Sequence, residues 1–432
     1  MATTEDLLHR VSALEEGKHR QSYGNGPSSE IYVVPDGGVK AWLQVLAAFF
    51  VYFTTWALTD SFGAYQTFYE NGDLLSASSS SIAWIGSTQA AILQTVGLIS
   101  GTLYDRGYFR SLLYTASLVV ILGQMMLSLS HTYYQVFLAQ AVCMGLGAGL
   151  VAVPGITILS SYFDRRIEFA IGIASTGSGI GAIIYPFMFH RIITRVGFAW
   201  CVRAIGLLMF IAMLVQILVL RPRPRPKKPA RANIIDWAAF REPAYVTFLL
   251  GVTTCTLSLN IPDYYIQLYA IRNHITGGDF GFYLLSILTT GSVCGQVSLS
   301  YLAEKIGPFN VLSCSIAICG ALCFALINLQ SMPGLIVVIT TYGFVSGAHM
   351  SLAPTCFVKL SPTKDVVGTR LGMGMAATVV GTLVGPPIAG AILDNVGFNS
   401  MWVYSGTVSI ASGLIFMLSR GFHGGWRVWA RV

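Results

Sequence analysis

Apolar and polar positions in this chain alternate on a scale much longer than one helical turn. Mostly apolar stretches of about 20 residues, the length that crosses a bilayer as an α-helix, recur at 42–68, 81–103, 111–130, 133–159, 167–190, 198–220, 244–269, 281–302, 309–329, 334–358, 370–393 and 399–419. Short polar or charged links separate them. The pattern predicts an all-α membrane protein with twelve transmembrane helices. The stretch from Ser161 to Pro186 is the one around which the chain is organised. Asp164, Arg165 and Arg166 open it, and after Glu168 no Asp, Glu, Lys, Arg or His follows until His190. Glycines at 172, 177, 179 and 181 would each cost about 1 kcal/mol in a soluble helix. In a membrane such small residues let helices approach closely. A packing helix and a helix that also lines a pathway both fit, and both enter the membrane from a basic side.

Composition agrees: 54% of the residues are hydrophobic and 10% charged, against about 25% charged in soluble proteins. Charge sets the orientation. With both termini cytoplasmic, 22 of the 26 Lys and Arg lie on the cytoplasmic side, and Arg191, Arg195, Arg203 and Arg272 lie outside. The opposite orientation inverts that ratio, so the excess of basic residues on cytoplasmic loops decides the topology. The net charge of +7 then reflects topology and contact with anionic lipid headgroups, most simply those of the plasma membrane, and a nucleic-acid partner has no support. In the polar segment 1–35, Leu7, Leu8, Val11 and Leu14 make at most one short amphipathic turn. No uninterrupted apolar core follows its early charges, so the first transmembrane helix is expected to direct insertion. The eight cysteines show no metal-binding spacing and read as small apolar filler. No phosphate-binding loop and no catalytic constellation stands out. The chain is therefore not expected to be an enzyme, and no cofactor or metal is implied.

Offsetting the sequence by 200 residues brings it onto itself. Gly107, Gly147, Gly172, Gly181, Gly197 and Gly206 meet Gly307, Gly347, Gly372, Gly381, Gly397 and Gly406, and Pro154 and Pro186 meet Pro354 and Pro386. Chance would align about two or three glycine pairs at this composition. Two copies of a six-helix unit are expected, at 36–220 and 244–419. A basic, Pro-rich cytoplasmic linker at 221–243 joins them, and a cytoplasmic tail follows at 420–432. An even number of helices per copy keeps both in one orientation, which places a site near the midplane between them.

Three motifs add to this. Asp36-Gly37-Gly38 precedes Trp42 at the mouth of the first helix, where Trp42 suits an interfacial anchor. Tyr162-Phe163, Arg165-Arg166, Ala170, Gly172, Ala174, Gly177-Ser178 and Gly181 open the fifth helix, and Gly101-Thr-Leu-Tyr-Asp105-Arg106-Gly107 links the second to the third. The first two together resemble the monocarboxylate-transporter branch of the major facilitator superfamily. Ser61-Phe62-Gly63 with Gln66 is similar to its fungal members. The third resembles the superfamily's loop between helices 2 and 3. The resemblance implies a secondary active transporter that rocks its two halves around a central site. It also implies that Asp105 and Arg106, with Arg165 and Arg166 beside them, latch the halves in one state. A plain turn at Gly101–Gly107 remains the alternative.

Polar residues at membrane depth are the candidates for substrate or coupling. Trp56, Asp60 and Gly63 share one face of helix 1, and Asn260, Asp263 and Gln267 share one face of helix 7, bent by Pro262. Tyr65, Gln66 and Tyr264 lie beside them, and His349 lies among small residues of helix 10. Animal proton-linked members of the resembled family carry a Lys in helix 1 and an Asp/Arg pair in helix 8. Here Asp60, Ser292 and Gln296 occupy the nearest positions. Transport of an organic acid or related small metabolite is expected, as export of a fungal secondary metabolite or as uptake of a vitamin-like or monocarboxylate nutrient, with protons as a candidate second partner. A non-transporting receptor or scaffold is the alternative of another class.

Overall fold

Every apolar stretch is helical, with boundaries within a few residues of those expected. α1 covers 39–70 in three pieces, Val39–Thr54, Trp56–Asp60 and Phe62–Glu70. α2 is Ser79–Asp105, α3 is Phe109–Leu127 and α4 is Tyr133–Ser161. The 53-residue helix Ile167–Val219 is two crossings, α5 (167–196) and α6 (198–219), turned against each other at Gly197, where φ is 76°. α7 is Pro243–Arg272, broken at 257–260. α8 is Gly278–Ile306, α9 Pro308–Ala325, α10 Met332–Lys359, α11 Val367–Val396 and α12 Phe398–Gly424. The computed structural model describes residues 36–70, 79–223, 234–276, 278–327 and 329–425. The expectations for segment 1–35, for most of the linker and for the end of the C-terminal tail lie outside those residues.

Among the described residues nine helices are long and apolar enough to cross a membrane by length and composition alone. The turn at Gly197 makes one of them two crossings. α2 and α8, of 27 and 29 residues, have the length but are richer in Ser, Thr and Gln. They are also among the helices that meet the opposite half, which is where polar groups find partners. Outward faces are apolar instead. Leu118, Leu122 and Met126 form an exposed stripe on α3, and Leu207, Phe210, Ile211, Leu214 and Leu218 form one on α6. Stripes of this length are covered by lipid, not water.

α1 packs on α5, α2 on α4, and α3 on α4 and α6, while α8 packs on α10, α9 on α12, and α7 on α11 and α12. Contacts between the two sets run through α2 with α11, α5 with α8, and α5 with α10. The turns echo the 200-residue offset. Gly107 and Gly307 take φ 91° and 92°, and Gly197 and Gly397 take 76° and 99°, a region in which glycine avoids the Cβ clash other residues meet.

Both breaks have local causes. In α1 the Thr55 hydroxyl donates back to the Val51 carbonyl at 2.7 Å, and the Ser61 hydroxyl to that of Ala57. Such back-bonding bends helices. The break in α7 precedes Pro262, which sits in the first turn of the second piece, where its missing N–H is no loss. The bend therefore lies one step before the proline. Its freed carbonyls are satisfied from outside the helix: Tyr342 donates to Leu259 O at 2.7 Å and Ser405 to Ser258 O at 3.3 Å.

Candidate functional site

At the basic end of the bundle the two sequence motifs meet. The Asp36 carboxylate accepts the backbone N–H groups of Asp164 and Arg165, at 2.5 and 2.8 Å, and Asp36 N–H donates to Tyr162 O at 3.2 Å. Gly37 and Gly38 follow, and Trp42 packs edge-on against Phe163 at 5.3 Å and Phe169 at 6.1 Å. Trp42 thus clamps α1 to the start of α5. Tyr162 donates to Arg221 O at 2.7 Å, and Gln44 exchanges two hydrogen bonds with Val219 and Arg221, which ties the end of α6 to the same point.

The halves close on each other here. Asp105, fully buried, accepts the N–H of Gly368 at 3.2 Å and both the N–H and the hydroxyl of Thr369, at 2.6 and 2.9 Å. These N–H groups belong to the first turn of α11, which has no intrahelical acceptors and carries the positive end of the helix dipole. Gly101 and Gly368 lie backbone to backbone, so a side chain on either would overlap the other chain. Arg106 and Gly107 lie exposed beside this contact. Across the gap from it, Glu168, 1% exposed, pairs with Lys359 of α10 at 2.7 Å, and Asp164 pairs with Lys364 at 3.4 Å. The Arg165 and Arg166 side chains point outward instead. Glu168 of α5 and Asp164 just before it, rather than Arg165 and Arg166, thus make the ion pairs to the other half, a correction to the sequence reading. Gly172 meets Ser300 and Gln296 of α8, while Gly181 meets Ala57 of α1, so the glycine-rich stretch packs on both halves. A further cluster was missed from sequence. Buried Arg370 is held by Asp236 at 2.8 Å, by Glu242 in a two-pronged contact at 2.6 and 2.7 Å, and by Leu360 O at 2.6 Å.

Past the midpoints of α1 and α7, away from the basic end, the picture changes. Trp56 is partly accessible and stacked on buried Tyr52, with ring centroids 4.9 Å apart. One turn further Asp60 is exposed, and Gly63 opens onto free space. Opposite, on α7, Asn260 and Asp263 are half-buried, and Tyr264 is 62% exposed. Asp60 and Asp263 lie within electrostatic reach of each other, and Tyr264 within reach of both. Gln66 and Gln267 are half-buried one turn beyond. Tyr65 is not part of this face. It is 1% exposed and packed on Phe189 at 4.5 Å and Tyr69 at 6.3 Å, so its expected place at the substrate is corrected to the core of the first half. His349 is half-buried, and its Nε2 has no hydrogen-bond partner among the described residues. Below the acids, Gln94 of α2 bonds Thr378 at 3.1 Å and Thr382 at 3.3 Å on α11. This polar bridge between the halves was also missed; Gln94 at membrane depth was the available signal.

The family model described as Major Facilitator Superfamily matches residues 43–367 and 274–426. The chain belongs to the major facilitator superfamily. It is a multi-pass membrane transporter and not an enzyme. Among curated relatives of this superfamily member, the MFS-type transporter dbaD of Emericella nidulans is 41% identical over 89% of this chain and 87% of its own. The aspyridones efflux protein apdF of Emericella nidulans is 34% identical, over 94% and 83%. The fujikurins efflux protein of Gibberella fujikuroi is 32% identical, over 89% and 83%. Among solved structures, the human organic anion transporter MFSD10 superposes with a TM-score of 0.68 at 11% identity, over 87% of this chain and 98% of that one. The transporter FucP in its outward conformation gives 0.66 at 14%, over 90% and 99%. These likenesses establish the fold shared across the superfamily.

Proposed function

We propose that this transporter exports a small fungal secondary metabolite across the plasma membrane by alternating access, and that protons drive it through Asp60 and Asp263. The carrying observation is the placement of those acids. They stand on the broken helices α1 and α7, in opposite halves, within reach of each other, while hydrogen bonds and ion pairs join the halves at the basic end. A charge change between the acids alters how the halves meet, which is what coupling requires. With the basic end cytoplasmic, as the charge distribution indicates, closure at that end supports an outward-facing reading, in which Asp105, Gly101 and Glu168 act as a closed cytoplasmic gate. The meeting of Asp36-Gly37-Gly38 with Tyr162–Arg165 supports placement in the monocarboxylate-porter branch. The printed activities of apdF and the fujikurins protein support export over nutrient uptake, and a gate of this kind has no use in a scaffold.

Deletion of the gene in a producing strain tests the reading. One metabolite should accumulate inside the cells and fall in the medium, and the wild-type gene should restore its release. Unchanged distribution of all secondary metabolites, or loss of a nutrient's uptake instead, contradicts it.

A further inference from the structure

We infer that the central site accepts a neutral or cationic cargo that donates hydrogen bonds, and disfavours free carboxylate anions. The inference rests on the central gap being the cargo site and adds to it a rule of charge. Among the described residues, every Lys and Arg lies in a loop or no deeper than the sixth residue from a helix end, as Arg203 of α6 does. Deeper than that limit the described helices carry Asp60 and Asp263 and two histidines, His349 and, one residue past the limit in α5, His190. A bound carboxylate is normally met by Arg or Lys, whose donors match its oxygens. None stands at that depth.

What stands on these stretches of α1 and α7 is two carboxylates, which only accept when ionised, with the Asn260 and Gln267 amides and the Tyr264 phenol, which donate and accept, beside the Trp56 indole. In a protein-enclosed space charges act with an effective dielectric well below that of water. An anion between the acids is therefore repelled, and a donor or cation is attracted. The indole, backed by the Tyr52 ring at 4.9 Å, offers a flat apolar wall suited to a planar scaffold or to a cation over its face. The expectation that the cargo is an organic acid is thereby narrowed to one that travels uncharged.

Three probes with one flat scaffold and different charge test this: naphthalene-2-carboxamidine, naphthalene-2-carboxamide and 2-naphthoate. Each is titrated into the full chain in lipid nanodiscs at pH 8, well above the usual carboxylate range. Ligands of this size reach affinities of roughly millimolar, so titration extends to about 10 mM. The amidine and the carboxamide should each bind at least about tenfold more tightly than naphthoate, about 1.4 kcal/mol. Asp60→Asn with Asp263→Asn should weaken amidine binding by about tenfold and strengthen naphthoate binding, a gain that lost folding could not mimic. Naphthoate binding as tightly as the amidine overturns the charge rule while leaving the site standing, provided the double variant alters binding. An amidine preference that survives the double substitution shows that the acids do not form the site, which overturns both readings. Absence of binding by both amidine and carboxamide also overturns the inference.

Discussion

The basic end and the middle of this transporter treat charge in opposite ways. At the basic end the buried charges Asp105, Glu168 and Arg370 have fixed partners, although Glu168 Oε2 takes no hydrogen bond among the described residues. Asp105 is satisfied by the first turn of α11, Glu168 by Lys359, and Arg370 by Asp236, Glu242 and a carbonyl. In the middle, Asp60 and Asp263 face accessible space and each other. A buried charge with complete partners holds one arrangement and is costly to break. A charge without them responds to whatever enters. On the proposed function, the contrast separates a part that holds a state from a part that changes it.

The largest way to break the contrast is to keep the basic end from closing. A side chain at Gly368 would meet Gly101 O at about van der Waals overlap, with a Cβ 2.5 Å away, and Asp105 Oδ1 at 2.8 Å. Overpacking of this kind costs about 1–3 kcal/mol or more, enough to shift a two-state population by roughly tenfold to a hundredfold. Gly368→Leu should therefore open the basic end, seen as a longer distance between spin labels at Arg106 and Thr363 with the exposed Cys294 and Cys314 replaced by Ser. An unchanged distance distribution would mean that the two helices do not gate.

A smaller effect separates the two latches. Asp105 bonds mostly to backbone, so Asp105→Asn should slow transport by about tenfold, and no substitution on α11 should recover it. Glu168 pairs with a side chain. Glu168→Lys should impair transport, and adding Lys359→Glu should restore much of it, since the pair is then remade with its charges exchanged. Failure of the exchange to restore transport would make that ion pair incidental.

The fold was legible because bilayer length is a strong constraint, and the 200-residue offset marked the turns at Gly107, Gly307, Gly197 and Gly397. The acids on α1 and α7 were legible from depth and helical spacing. Tyr65 was misplaced because aromaticity and depth were weighed without its face: two residues past Gly63, it points back towards Phe189. Arg165 and Arg166 drew attention from Glu168, whose partner lies on a helix of the other half, and sequence spacing carries no information on such a contact. Gln94 needed the same cross-half geometry to acquire a role.

The most direct measurement of the account uses vesicles holding purified protein and the metabolite that a deletion strain retains. Gradient-driven accumulation and exchange between equal pools are recorded in the same preparation. Asp60→Asn removes the carboxylate proposed to accept the proton but keeps size and shape, so accumulation should fall by about tenfold or more while exchange stays near the wild-type rate. Full gradient-driven accumulation by Asp60→Asn would contradict the claim that this acid couples the cargo to protons.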